Sequence, residues 1–201
     1  MAGDARTDWV WIRHALVQGQ ESRYFGQLDV ACEAVPAGRA AAIARELPPV
    51  AVWLATPLSR GRATALAFKS EVSPIPVPGF TEQNYGIWQG RSYNEVYAAN
   101  RMLDWNEPSI IKPPQGESFM DVGARVAEAI ERLSQHYAGH AIVCVAHAST
   151  IRVAIAYAMG IDAELALRID IAPLSITRLS CRLKDGALQW SVGTINFEAG
   201  R

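Results

Sequence analysis

The chain has 201 residues, 50% of them hydrophobic and 19% charged, with a formal net charge of -1. Such a length and balance describe one soluble globular domain with room for a sizeable core, and the lack of a long basic run removes the electrostatic footprint of a nucleic-acid binder. No apolar stretch approaches the roughly 20 residues that span a bilayer, and the start MAGDARTD lacks the cationic-then-apolar build of a secretory leader.

WVWIRHA, residues 9 to 15, predicts a buried strand from Trp9 to Ile12 that stops on Arg13-His14. Pro36, the alanine-rich stretch to Leu47 and the Pro48-Pro49 stop mark a helix. AVWLA, 51 to 55, is a second buried strand, followed by a helix over Leu58 to Lys69 and a short, proline-flanked strand at Ile75 to Val77. SYNE, 92 to 95, and SFMD, 118 to 121, both have the form of capping boxes, and the second opens a helix with Val122, Val126, Ile130 and Leu133 on one face. AIVCVA, 141 to 146, is a third strand, and the helix over Ile151 to Met159 is closed by Gly160. Ser175 to Arg182 and Leu188 to Ile195 predict two strands around the turn Lys184-Asp185-Gly186.

Apolar runs alternating with helix-period segments predict an α/β fold, a three-layer α/β/α arrangement with a mostly parallel central sheet. No repeat or linker breaks the chain, so residues 1–201 are expected to form a single domain, with a cap or lid at about 90–115. The three cysteines, Cys32, Cys144 and Cys181, are widely spaced and form no C-x-x-C pair. That usage fits a reducing cytoplasm and neither a disulfide framework nor a zinc site.

Three strand exits, WVWIRHA, VWLATPLSR and IVCVAHAS, each deliver a polar or cationic group within a few residues: Arg13 and His14, Arg60, and His147. Ligands of doubly wound sheets bind beyond the carboxyl ends of the strands. Two arginine forks, two imidazoles and the helix start at HAST, 147 to 150, make a phosphate the natural guest. Taken singly, a histidine after a strand is more often a hydrogen-bonded structural residue, and Arg60 reads as a first-turn surface arginine. His136 and His140, at a helix end and in a loop, keep that ordinary reading.

These residues resemble the histidine phosphatase superfamily, the phosphoglycerate-mutase-like proteins. R-H-A at 13 to 15 is similar to the family's Arg-His-Gly signature, and T-P-L-S-R-G-R-A-T-A, 56 to 65, is similar to its S-x-L-x-R-A-x-x-T-A segment, placing the family arginine on Arg60. F-T-E-Q-N-Y-G-I-W-Q-G, 80 to 90, resembles the block carrying the acid, which falls on Glu82. G-E-S, 116 to 118, and V-A-H-A-S-T-I-R, 145 to 152, complete the order, the second carrying His147. Departures occur at Val17, where the family often has Ser or Thr, and at Ala148, which replaces a glycine yet keeps its backbone N–H. Arg23 and Gln20 are candidates for the missing phosphate contacts, and Ser149 for a further hydroxyl donor.

The resemblance implies a phosphoglycerate mutase-like fold and a phosphomonoesterase acting on a small phosphorylated metabolite through a phosphohistidine on His14. Arg13, Arg60 and His147 would stabilise the equatorial oxygens, and Glu82, its pKa raised beside a dianionic phosphate, would protonate the leaving oxygen and then deprotonate water. No metal or cofactor is required by that scheme. Two readings within the family stand beside it: an alpha-ribazole-5'-phosphate phosphatase and a 2,3-bisphosphoglycerate-dependent mutase. The compact chain leans towards hydrolysis. The reading from a different class is a regulatory module that keeps the phosphate pocket without turnover. Tyr85, Trp88, Tyr93, Trp105 and Asn106 mark the region expected to line the entrance, and nothing in the sequence assigns an oligomeric state, a nucleic-acid partner or a membrane.

Overall fold

A computed structural model describes residues 5–19 and 22–200; Gln20 and part of the N-terminal stretch read above lie outside them. The central sheet has six strands: β1 (Arg6–Arg13), β2 (Val52–Ala55), β3 (Ile75–Pro76), β4 (Ala141–Ala146), β5 (Ile176–Lys184) and β6 (Ala187–Val192), in the order β3-β2-β4-β1-β5-β6. β4 pairs in parallel with β1 and β2, and β2 with β3, whereas β5 runs antiparallel to β1 and to β6. Only β5 is therefore reversed, as expected for a mostly parallel sheet.

Alternation along the central strands sends neighbouring residues to opposite faces. Trp9, Trp11, Leu54, Ile142 and Cys144 pack on one side with Val122, Val126, Ile130 and Ile155, from α4 (Phe119–His136) and α5 (Ala148–Met159). Val10, Ile12, Trp53, Val143 and Val145 pack on the other with Ile43 and Ala65, from α1 (Ala37–Arg45) and α2 (Ser59–Phe68). Both faces are covered, so the strands read as continuous apolar runs. Trp9 and Trp11 stack with ring centroids 4.9 Å apart, and Phe80 meets Trp11 edge-on at 5.0 Å.

Both capping boxes form. Ser92 caps α3 (Tyr93–Ala99) with Glu95 as the reciprocal acceptor, and Ser118 caps α4 with Asp121. A cap contributes about 1 kcal/mol, whereas each large apolar side chain fully buried contributes roughly 1.5–3 kcal/mol. The stripe on α4 thus fixes where the helix lies, and the box fixes where it begins. A short helix α6 (Ala163–Ala166) follows α5, which Gly160 closes in the left-handed conformation. The strand expected over Leu188 to Ile195 ends at Val192; beyond it the chain bends back, and Phe197 bridges to Ile176. The first strand begins earlier than expected, at Arg6, because its pairing with β5 extends to Arg182.

Candidate active site

β2, β4 and β1 are neighbours at the centre of the sheet, so the three strand exits lie side by side at its carboxyl edge. They open on a cleft of about 260 Å³ lined by Arg13, His14, Arg23, Arg60, Glu82 and Arg152, with Tyr85, Tyr93, Ala148 and Ser149 completing much of its wall. A cavity of about 460 Å³ at the opposite end of the sheet, around Arg6, Glu46 and Arg178, holds none of these residues.

His14 is 4% exposed, and its Nδ1 lies 2.7 Å from the carbonyl oxygen of Ala15. A carbonyl can only accept, so Nδ1 carries the proton and Nε2 keeps its lone pair. Burial, reinforced by the charges of Arg60 and Arg13, lowers the His14 pKa to about 3, against a partial rise from the Ala15 contact. The imidazole is therefore neutral across the physiological range. The Ala15 amide is held in turn by Thr64 Oγ1 at 3.0 Å, and that hydroxyl donates to Arg60 O at 2.7 Å. The loop carrying His14 and α2 are thereby locked to one another.

Arg60 is 2% exposed and spends Nη1 and Nη2 on Leu28 O and Gly26 O, at 2.8 and 2.6 Å. Arg13 donates to Ile171 O, while its own backbone is pinned by Ser175 O and the Leu174 N–H. Burial lowers the pKa of both guanidinium groups, Glu82 opposing the shift in each; an arginine stays charged through such a change. Arg23 donates to Gly90 O at 2.9 Å, and Arg152 donates to Ile169 O at 2.8 Å. Each of the four arginines keeps further N–H donors beyond these contacts.

His147 is wholly buried and stands behind His14, ring centroids 4.9 Å apart, off the cleft wall. Its Nε2 lies 2.9 Å from Thr56 Oγ1, and its Nδ1 is buried with no partner among the described residues. Burial, then the charges of His14, Arg60 and Arg13, push its pKa well below the ordinary value. Both rings are therefore neutral, and the positive charge of the site comes from arginines. Gly61 lets α2 approach this corner, because a Cβ there would lie 2.2 Å from Thr56 Cγ2.

Glu82 lies half-buried on a segment without regular structure, its Oε1 accepting the Gln83 N–H at 2.8 Å and its carbonyl accepting from Gln27 and Arg125. Tyr85 lies beside it, its phenol pushed up by burial and by the Glu82 charge, with Ser149 offsetting part of the shift. Val17 also lines the cleft, with an apolar side chain at the departure noted above. Of segment 90–115, Tyr93 alone reaches this cleft; Trp88 and Trp105 pack on one another with centroids 5.9 Å apart, and Asn106 bonds to Asp104. His136 and His140 are exposed and far from the cleft lining. Arg152 escaped sequence reasoning as a site residue because it reads as an ordinary helix arginine; its place five residues after His147 was the available signal. No group of three or more His, Cys, Asp or Glu side chains suited to a metal is present among the described residues. No helix among them is long and apolar enough to cross a membrane.

Residues 9–192 match the family model described as histidine phosphatase superfamily, branch 1. A bifunctional protein of Mycobacterium tuberculosis is 27% identical over 175 residues, which is 82% of this chain and 48% of that protein. The chain therefore spans about half the length of such curated relatives. A 2,3-bisphosphoglycerate-dependent phosphoglycerate mutase of Bartonella henselae is 28% identical over 109 residues, 52% of this chain and 53% of that one. Among solved structures, a mycobacterial glucosyl-3-phosphoglycerate phosphatase superposes with a TM-score of 0.83 at 23% identity, covering 96% of this chain and 99% of its own. The alpha-ribazole phosphatase of Shigella flexneri gives 0.79 at 23% identity, covering 96% and 97%. At those identities the likeness is one of fold.

Proposed function

Since the chain belongs to the histidine phosphatase superfamily, branch 1, we propose that it is a phosphomonoesterase working through a phosphohistidine on His14. The observation that carries this reading is the His14 ring itself: Nδ1 is committed to Ala15 O, the pKa is lowered to about 3, and the ring borders a cleft shared, among the described residues, with four arginines and one carboxylate. A neutral imidazole with an available lone pair, held among guanidinium donors, is arranged for in-line attack on phosphorus.

In the first step a bond forms from His14 Nε2 to phosphorus and the ester P–O bond breaks, with the Glu82 proton passing to the leaving oxygen. In the second, water attacks phosphorus as the Glu82 carboxylate takes its proton, the N–P bond breaks, and inorganic phosphate leaves. Arg13 and Arg60 hold the equatorial oxygens, with Arg23 and Arg152 completing the cationic wall. His147, behind the His14 ring and off the cleft wall, backs the nucleophile, its Nε2 against Thr56 Oγ1 and its Nδ1 without a partner among the described residues. Ser149 and the Ala148 N–H stand at the same wall.

The alcohol of the ester would enter the adjoining pocket of about 530 Å³, which shares Arg13, Val17 and Tyr93 with the phosphate cleft and adds Leu16, Glu33 and Pro173. Two solved relatives of the fold carry the names of different phosphatases, for glucosyl-3-phosphoglycerate and alpha-ribazole phosphate, so the alcohol is the quantity to measure. A phosphate-release screen over sugar phosphates, phosphoglycerates, nucleotides and alpha-ribazole phosphate, with chelator present, tests the reading. Release that survives chelation and falls by roughly 10³-fold or more in His14→Ala supports it. Isomer formation without release favours a mutase, and silence across the panel favours a binding module.

A further inference from the structure

The segment that carries Glu82 has no regular hydrogen-bonded structure between Glu82 and Tyr85, so side chains from elsewhere must fix it. One side chain does most of this. Arg125 on α4 donates Nη1 to Gly79 O at 2.9 Å and Thr81 O at 2.8 Å, and Nη2 to Glu82 O at 3.1 Å. Its Nε and Nη2 form a two-pronged pair with Glu117, at 2.8 and 3.0 Å, so every N–H of the guanidinium group is engaged.

Glu117 works from the other side of Glu82. Its Oε2 accepts the Asn84 N–H at 2.9 Å, its carbonyl accepts Gln83 Nε2 at 2.7 Å, and its own N–H donates to Asn84 O at 2.8 Å. The two side chains are only 22% and 24% exposed, so the pair is screened less than a surface ion pair. Neither residue lines the phosphate cleft. We propose that Arg125 and Glu117 are positioning residues for the general acid, gripping the backbone on both sides of Glu82 so that its carboxyl meets the leaving oxygen. This rests on the assignment of Glu82 as the acid given above.

Leaving-group chemistry separates this role from a merely structural one. A p-nitrophenolate departs without a proton, whereas an alkoxide needs the acid as the P–O bond breaks. kcat/KM reports that first step alone, independent of the later hydrolysis of the phosphohistidine. A misplaced acid therefore lowers kcat/KM for an alkyl phosphate and spares it for p-nitrophenyl phosphate.

The experiment measures both constants for the wild type, Glu82→Gln, Arg125→Met and the isosteric Glu117→Gln, with urea unfolding to establish that each is folded. The ratio of alkyl to aryl kcat/KM is expected to drop most in Glu82→Gln and by about tenfold or more in the other two, part of the 10²–10⁴ a positioned acid supplies. If Glu82→Gln shows the selective loss while the folded Arg125 and Glu117 variants lose both substrates in parallel, or neither, the positioning role is overturned and the acid stands. If Glu82→Gln itself lacks the selective loss, the acid assignment fails and the positioning role falls with it. Should Arg125→Met not fold, the Glu117→Gln ratio decides alone.

Discussion

A single hydrogen bond sets the chemistry of His14. Because Nδ1 must donate to Ala15 O, the ring presents an unprotonated nitrogen, and burial beside Arg60 and Arg13 keeps it so. The same burial has a cost in acid. Above the ordinary histidine pKa of about 6.5 folded and unfolded chains both hold the ring neutral, so nothing is lost. As the pH falls below that value the unfolded chain takes up the proton first, and stability declines until the folded-state value near 3 is reached. By pH 5 the loss from this one group is ~2 kcal/mol. Urea unfolding of the wild type and His14→Gln at pH 7.5 and 5 should show the variant losing less; equal losses would mean the ring is already protonated in the fold. Arg13, His14, Arg60 and Glu82 were legible in the sequence because the family resemblance assigns each of them a role. Thr56, Thr64 and Arg152 stand inside the same quoted segments, but their parts come from contacts with residues distant in the chain: Thr56 with His147, Thr64 with Ala15, and Arg152 with Ile169.

At the level of elements, signals whose partners lie within one turn are legible, and contacts between distant segments are not. The capping boxes at Ser92 and Ser118 form as the spacing predicts, because both partners lie within one turn. Ser118→Ala should lower stability by about 1 kcal/mol, read from the urea midpoint, with little change in kcat/KM because the stripe on α4 keeps the helix seated. Gly26 is the contrary case. Its φ of +51° and the 2.5 and 2.7 Å approaches that a Cβ would make to Gln89 Oε1 and Gln83 O are invisible in the sequence, yet its carbonyl orients Arg60 and its neighbour Gln27 holds Glu82 O. Gly26→Ala is therefore expected to cost roughly 1–3 kcal/mol of stability and also to lower kcat/KM, since Arg60 and the acid segment move together. A variant as stable and as active as the wild type would show that the loop has slack. The extent of β6 was misread because the apolar pattern continues to Ile195, while the chain leaves the sheet after Val192 to bring Phe197 against Ile176.

Over the whole molecule, sequence periodicity gives three buried strands ending in polar residues but not their order in space, which depends on pairing between residues 6–13, 52–55 and 141–146. The family resemblance supplied what periodicity lacked. Among the described residues, the observed order puts Arg13, Arg23, Arg60 and Arg152 around one cleft against the single carboxylate of Glu82, in a chain whose formal net charge is -1. The positive field is thus local, and a cleft with low-dielectric walls focuses it towards solution. A dianionic ester approaching from a distance should be drawn in at low salt, with the attraction fading once the screening length falls to about 10 Å near 0.1 M ionic strength. For a phosphomonoester the expected outcome is a several-fold fall in kcat/KM as a salt of a weakly coordinating anion is raised from about 0.01 to 0.3 M, on the low side of the 10–10³ range that steering produces. The value of kcat should change little, because bound phosphate is surrounded by guanidinium groups and sheltered from the added ions. Arg23→Gln, which removes a cleft cation without touching His14, should flatten the salt dependence in kcat/KM. A flat response in the wild type would mean that the arginine charges are spent inside the protein on Gly26, Leu28, Gly90 and Ile171 carbonyls, leaving capture of the substrate to contact alone.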